Sequence, residues 1–185
     1  DTMIELSKDT NRILCTFGDM MRVPGSKFSL MDAKTEGKDI RVVYSPLDSI
    51  KIAEENPDKE VIFLGIGFET TIPILTVTLQ EAEKKSLTNY TIWMTTKLVE
   101  PVLRTLLHSK EISIDGFLLP GHVSVVTGKN SFDFLVEDYH ISGVITGFEP
   151  VELLRGIYKL LQQLLNEKTE IINDSIKIDS THVRY

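Results

Sequence analysis

Short apolar runs rich in β-branched residues recur along the chain, and more polar stretches separate them. Several runs are continuous rather than alternating, which is typical of strands covered on both faces. They lie at 11–16, 40–44, 61–66, 91–95, 116–119 and 142–146. Because strands and helices alternate, the pattern predicts an α/β fold: an open, mainly parallel sheet with helices on both faces, in three layers.

Helix start signals stand between these runs. Ser45-Pro46-Leu47-Asp48 places an N-cap residue, a first-turn proline and an acid at the third helical position. Pro73 and Pro101 mark two further starts, and Pro150 opens the clearest helix. Its apolar stripe comprises Leu153, Leu154, Ile157, Leu160, Leu161, Leu164 and Leu165.

The domain prediction is one α/β domain over 1–166 followed by a polar C-terminal extension over 167–185, either an edge strand or an arm. Gly67-Phe68-Glu69 and Gly147-Phe148-Glu149 both follow an apolar run and precede a helix start. This repetition leaves two interpretations open: a fold of two related half-units, or convergence of strand-to-helix turns on similar residues.

Composition excludes several classes of protein. The chain has 185 residues, 42% of them hydrophobic, and a net charge of −7, so nucleic acid is not an expected partner. No apolar stretch is long enough to span a membrane, and no signal-peptide pattern opens the chain, so we expect a cytoplasmic protein. Cys15 is the one cysteine, which excludes an intramolecular disulfide.

Four unusual segments follow predicted strands: 17–26, 67–71, 120–124 and 147–150. Because ligands bind outside the carboxyl ends of the strands in an open parallel sheet, we expect these segments to gather at one edge and form a site. The candidate binding residues are Phe17, Gly18, Asp19, Met20, Met21, Arg22, Val23, Pro24, Gly25, Gly67, Phe68, Glu69, Thr70, Thr71, Pro120, Gly121, His122 and Ser124.

The side chains of these segments leave several roles open. Asp19 and Arg22 either pair with each other or offer Arg22 to an anionic group, and Met20 with Met21 suits an adaptable protein contact. Thr70 or Thr71 is expected to cap the next helix, with Glu69 at its positive end. His122 is placed to donate a hydrogen bond, to titrate or to bind a metal, although a structural role is as compatible with its position.

Nucleotide-binding patterns are incomplete or missing. Gly65-Ile66-Gly67-Phe68-Glu69-Thr70 has threonine where a dinucleotide-binding loop needs its third glycine, and no phosphate-binding loop motif occurs. His108, His140 and His182 lack metal-ligand spacing. These observations disfavour a conventional nucleotide enzyme and assign neither a catalytic residue nor a metal ligand.

Taken together in this order and spacing, the four segments resemble the HypD family of [NiFe]-hydrogenase maturation proteins, over nearly all of residues 1–165. The resemblance implies a non-enzymatic scaffold for assembly of the Fe(CN)2CO group, with HypC-like and HypE-like partners. It also implies that the segments 17–26, 67–71 and 120–124 line or support the assembly cleft.

This chain departs from the family in its cysteines. HypD-like chains carry cysteine motifs before the segment that matches residue 1 and [4Fe-4S] cluster cysteines after the segment that matches the end. We therefore expect no cofactor on this chain itself, and the resemblance leaves open an excised domain, a truncation or a stand-alone protein. Two alternatives also stay open: an enzyme that uses His122 and Glu69 as acid and base, and an interaction module anchored by Met20 and Met21.

Overall fold

A computed structural model describes residues 1–109, 113–128 and 130–175. The chain divides into two compact units, the first over Asp1–Lys97 and the second from Leu98 onward. Each unit has its own parallel sheet with helices, so the α/β class is confirmed, but the strands form two sheets rather than one. The division after Lys97 also differs from the predicted single domain over 1–166.

The first unit builds a four-stranded sheet in the order β2-β1-β3-β4, with every pair parallel. Leu14 of the central strand β1 lies beside Ile40 on one side and Ile62 on the other. The elements in chain order are α1 (Thr2–Leu6), β1 (Arg12–Thr16), a 3-10 helix (Gly18–Arg22), α2 (Leu30–Thr35), β2 (Ile40–Val42), α3 (Pro46–Glu55), β3 (Glu60–Gly65), a 3-10 turn (Glu69–Thr71), α4 (Ile72–Lys84) and β4 (Tyr90–Met94).

Alternate residues of this sheet enter two separate apolar layers. Ile13, Cys15 and Phe63 pack with Ala53 of α3 and Leu75 of α4. The other face comprises Leu14, Ile40, Ile62 and Leu64, packed with Met21, Leu30 and Ala33. Since successive strand residues point to opposite faces, continuous apolar runs are what a sheet covered on both faces requires.

The second unit has a three-stranded parallel sheet in the order β5-β6-β7. Its elements are α5 (Val99–His108), β5 (Gly116–Pro120), α6 (Gly121–Thr127), α7 (Phe134–Glu137), β6 (Ser142–Thr146), α8 (Pro150–Leu165) and β7 (Ile171–Asn173). Strand β7 places the start of the predicted extension in the sheet as an edge strand. Residues 176–185, including the short apolar run at 176–178, lie outside the described residues.

The helix start signals act as expected at Ser45 and Pro150. Ser45 N–H donates to Asp48 Oδ2 at 3.0 Å, and Ser45 Oγ accepts from Leu47 N–H at 3.3 Å. Pro150 is the first residue of α8. Within the described ranges, no helix combines the length and apolar character needed to cross a membrane.

Candidate functional site

The strand order of the first sheet creates a switch point between β1 and β3. The chain runs from β1 outward to β2, then crosses back to β3 and continues to β4 on the opposite side. Segment 17–26 follows β1 directly, and segment 67–71 begins two residues after the end of β3. In open α/β sheets this is where connections diverge and leave a crevice for ligands, so two of the four predicted segments flank a recognised type of binding position.

The segment after β1 is anchored at its start by apolar contacts. The Phe17 ring meets the Phe63 ring edge-on, with centroids 5.4 Å apart. Met21 is 2% exposed and packs against the second apolar layer, with Met20 partly buried beside it. Met21 therefore belongs to the core, which corrects the expectation that both methionines supply adaptable contact surface.

Asp19 and Arg22 do not pair with each other. Asp19 Oδ1 accepts a hydrogen bond from Met20 N–H at 2.9 Å, at the start of the 3-10 helix. Arg22 is exposed and makes no ion pair within the part of the chain that the structure describes. Of the alternatives for this pair, the geometry favours Arg22 as a cation available to a ligand or partner.

The end of the same segment is held to the amino terminus of the unit. Gly25 N–H donates to Phe28 O at 2.9 Å, and Pro24 pairs with Ser29 in an isolated bridge. Ser26 N–H donates to Asp1 Oδ1 at 2.8 Å. Val23, between these fixed points, stays about half exposed. Contacts thus hold the segment at both ends, and Arg22 and Val23 between them are exposed.

The segment after β3 turns sharply at Gly67. Its φ is +147°, and a Cβ there would lie 2.2 Å from Thr71 Oγ1. Thr71 is the N-cap residue of α4, the position that the sequence indicated for Thr70 or Thr71, but its side chain makes no cap hydrogen bond. Glu69 is 7% exposed, while Phe68 is partly exposed. The carboxylate is therefore buried, and the phenyl ring contributes to the surface.

In the second unit, the turns after β5 and β6 bring His122 and Phe148 together. Their ring centroids are 4.8 Å apart at an interplanar angle of 41°, and both residues are exposed. This contact brings segments 120–124 and 147–150 together at the carboxyl edge of the second sheet, whereas segments 17–26 and 67–71 follow strands of the first sheet. Sequence reasoning left Phe148 out of the candidate residues, although its place in the repeated Gly-Phe-Glu turn was the available signal.

Ser124 and Gly121 have structural environments. Ser124 is buried, and its Oγ donates to Gly121 O at 2.7 Å within α6. Gly121 is buried beside Thr146, where an added Cβ would lie 2.9 Å from the Thr146 carbonyl oxygen. Both residues shape the turn that presents His122, while Pro120 ends β5 immediately before it.

Thr16 is a second residue that the sequence analysis missed. It ends β1 at the switch point and is fully buried, yet its Oγ1 has no hydrogen-bond partner among the described residues. Buried hydroxyls are normally satisfied, because an unmet one loses its hydration without compensation. A threonine as the last residue of a buried strand was the only signal in the sequence.

The cysteine content does not fit a [4Fe-4S] cluster. Such clusters are held by thiolates, and Cys15 lies fully buried in the apolar layer beneath α3 and α4. Burial raises the pKa of its thiol to about 12. Cys15 is therefore a core residue.

Glu69 and His122 belong to different units, so the hypothesis that they act as acid and base in one pocket stays untested. Within the first unit, a depression of about 210 Å³ is bordered by residues outside the segments after β1 and β3. It is bordered by Ile4, Ser7, Lys8, Phe28, Ala33, Glu36 and Lys38.

Comparison with known proteins gives a consistent result. A profile of the HypD family, described as the hydrogenase formation hypA family, matches residues 1–181. The hydrogenase maturation factor HypD of Escherichia coli (strain K12) is 44% identical over 173 residues, 94% of this chain. The protein of the same name from Rhodobacter capsulatus is 43% identical over 182 residues, 98% of this chain.

The match extends further than the sequence motifs indicated, into the segment after residue 165. The two pairwise matches cover 46% of the Escherichia coli protein and 48% of the Rhodobacter capsulatus protein. The chain therefore spans about half the length of the curated relatives it matches. This chain belongs to the HypD family of hydrogenase maturation factors.

Proposed function

We propose that this chain forms part of a hydrogenase maturation scaffold and supplies one wall of the cleft in which the Fe(CN)2CO group is assembled. A HypC-like protein docks at this wall, and a HypE-like protein delivers the cyanide ligands. The observation that carries the proposal is the switch point between β1 and β3, flanked by segments 17–26 and 67–71. Open α/β sheets bind their ligands at this position.

The segment after β1 has the properties that such a wall needs. Met21 anchors its 3-10 helix in the apolar core, and a hydrogen bond from Ser26 to Asp1 holds its carboxyl-terminal end. Arg22 stands exposed between these anchors with no ion pair among the described residues. A guanidinium on a rigid segment offers a planar fork of donors to an anionic ligand group or a partner carboxylate.

The segment after β3 supports the same wall. Phe68 contributes a partly exposed aromatic ring next to the Gly67 turn. Aromatic and arginine side chains are enriched where protein surfaces bind one another. Arg22 and Phe68 are therefore the two positions at which we expect binding to be most sensitive, and neither is expected to act as a catalytic residue.

The test is a chimaera in which this chain replaces the matched segment of the Escherichia coli HypD, expressed in a strain that lacks its own HypD. We expect the chimaera to restore hydrogenase activity. Arg22→Glu in the chimaera should reduce restored activity and weaken capture of the HypC-like protein by about tenfold, as is typical of losing a charge-assisted contact.

Lys27→Glu is the matched control, since Lys27 is an exposed cation directly after the same segment and the charge change is identical. The control should behave as the parent chimaera. Equal losses for both variants would indicate a general charge effect and would contradict a specific role for Arg22. A folded chimaera that binds no HypC-like protein and restores no activity would contradict the proposed function itself.

A further inference from the structure

Helix α8 packs against its own sheet through a largely polar face, unlike an ordinary amphipathic helix. Its buried residues are Glu152, Gly156 and Gln163, two of them polar. Gly156 lies against Thr146 and Leu118 of the sheet. A surface helix of a globular domain usually buries its apolar stripe and exposes its polar residues. In α8 this relation is reversed.

The apolar stripe that the sequence indicated is largely exposed. Leu154 is 67% exposed and Leu165 is 83% exposed. The large apolar side chains exposed on α8 are Val151, Leu153, Leu154, Ile157, Tyr158, Leu161, Leu164 and Leu165. We call these eight residues the α8 apolar face. Scattered exposed leucines are normal, but a continuous face of this kind marks a surface that another element covers.

Charged contacts on the sheet side fix the orientation of the helix. Asp174, directly after β7, is almost fully buried and accepts from Arg155 Nη2 at 2.9 Å and from Lys159 Nζ at 2.5 Å. Rotating α8 to bury its leucines would break both contacts and leave a buried carboxylate without its cations, which is strongly unfavourable. The apolar face is therefore held outward by the fold.

The width of the α8 apolar face distinguishes between possible occupants. Leu154, Ile157, Leu161 and Leu164 have the spacing of a coiled-coil seam, but Leu153, Tyr158 and Leu165 occupy the flanking positions. At 100° per residue the face spans about 160° of the helix circumference. A single partner helix covers only the seam, and two-stranded coiled coils place charges at the flanks. The pattern favours a broad protein surface over a second copy of this helix.

We infer that the α8 apolar face is the docking surface for the part of a full-length HypD protein that lies outside the segment matched by this chain. The relatives are about twice as long as their match, 46% and 48% of their lengths being covered. A chain charge of −7 also disfavours pairing of two copies through self-repulsion. The inference rests on family membership and does not depend on the proposed assembly function.

The experiment measures thiol accessibility at position 154. Cys15 is fully buried, so Leu154→Cys introduces the one reactive thiol of the 185-residue chain. The labelling rate with a maleimide is compared between this chain and the Escherichia coli chimaera, with peptide-level mass spectrometry as the readout. Tyr44→Cys is the control, because Tyr44 is 97% exposed in the other unit.

We expect labelling at position 154 to be at least about tenfold slower in the full-length protein, because a docked surface opens only rarely. Labelling at position 44 should be equally fast in both proteins. Equal rates at position 154 would overturn the inference. If the chimaera fails to fold, cysteine at the aligned position of the Escherichia coli HypD provides the same comparison.

Analytical ultracentrifugation of the 185-residue chain tests whether a second copy of the chain covers the α8 apolar face instead. A monomer with rapid labelling at position 154 agrees with the inference. A dimer that protects position 154 and separates on Leu161→Lys would overturn it in favour of a second copy. Retained hydrogenase activity in the chimaera with rapid labelling at 154 would leave the proposed function intact while removing this inference.

Discussion

The two Gly-Phe-Glu turns have the same three residues and different structures. In the first unit Gly67 adopts a φ of +147°, and Glu69 is buried. In the second unit Gly147 needs no left-handed backbone, and Glu149 is exposed as the N-cap residue of α8. The buried carboxylate of the second turn instead comes from Glu152, three residues later.

The difference lies in what fills the space beside each glycine. Thr71 Oγ1 occupies the position of an absent Cβ at Gly67, and the Glu152 carboxylate does so at Gly147. Glu149 N–H donates to Glu152 Oε2 at 3.2 Å, which ties the second turn to the first turn of α8. A short repeated motif thus specifies where the chain turns, while the residues after it decide which side chain becomes buried.

The largest expected effect is at the two glycines. Gly67→Ala should lower the free energy of unfolding by about 3 kcal/mol, because alanine is strained at this φ and its Cβ meets Thr71. Gly147→Ala should cost less, about 1 kcal/mol, since Gly147 has no left-handed backbone and the alanine displaces only the Glu152 carboxylate. Urea unfolding followed by Trp93 fluorescence for the first unit and by circular dichroism for the second checks this.

Paired substitutions make that contrast sharper. Adding Glu152→Ala to Gly147→Ala should remove the loss of stability that the alanine at position 147 causes. Adding Thr71→Ala to Gly67→Ala should leave most of the loss at position 67, because the backbone strain remains. Equal rescue at both positions would show that side-chain crowding, and not backbone conformation, separates the two turns.

The next largest difference in stability is expected between substitutions of the two glutamates of the motif. Glu69→Ala should destabilise the chain by about 2 kcal/mol, since truncation of a buried side chain leaves a cavity. Glu149→Ala, at an exposed position, should stay within about 0.5 kcal/mol of the parent. Thermal unfolding of both variants is the measurement, and similar losses would mean that the two turns are equivalent in energy.

A pH-dependent difference is expected in the second unit, where α8 is tied to Asp174. Hydrogen bonds from Lys159, with its charge and that of Arg155, lower the pKa of Asp174. The contribution to stability is therefore present above the ordinary carboxyl pKa of about 4 and is lost as the pH falls through the folded-state pKa. Asp174→Asn should destabilise the chain at pH 7 and less so at pH 3, because part of the contribution has been lost once the pH is below the ordinary carboxyl pKa.

The control for this effect is Asp19→Asn, at an exposed carboxylate of the other unit. Its cost should be small at both values of pH. If the gap between Asp174→Asn and the parent is the same at pH 7 and pH 3, the charge of Asp174 does not stabilise α8.

The smallest expected effect concerns the phenylalanines of the two turns. Phe148→Ala should shift the ring-proton resonances of His122, because the two rings are 4.8 Å apart. Phe68→Ala should remove the corresponding phenylalanine of the first turn with little change at His122, and neither variant should alter stability by more than about 0.5 kcal/mol. Unchanged His122 resonances in Phe148→Ala would contradict the ring contact.

Much of the fold was predictable from local pattern. All six apolar runs became strands, and Ser45 and Pro150 mark helix starts as expected. The site was less predictable: the segments after β1 and β3 do flank one switch point, but Met21 is buried and the Thr71 side chain makes no cap hydrogen bond. Burial and capping depend on which neighbours reach a side chain, and no local pattern encodes those neighbours.

The sequence by itself determined the α/β class, the strand positions, the turn motifs and the family, because periodicity, turn chemistry and short motifs are properties of residues close together along the chain. Only the tertiary structure decided that the strands divide into two sheets and that the leucines of α8 face outward. Both outcomes depend on contacts between residues far apart in the chain. The ion pairs that join α8 to Asp174 are one such contact, and they hold α8 with its apolar face exposed.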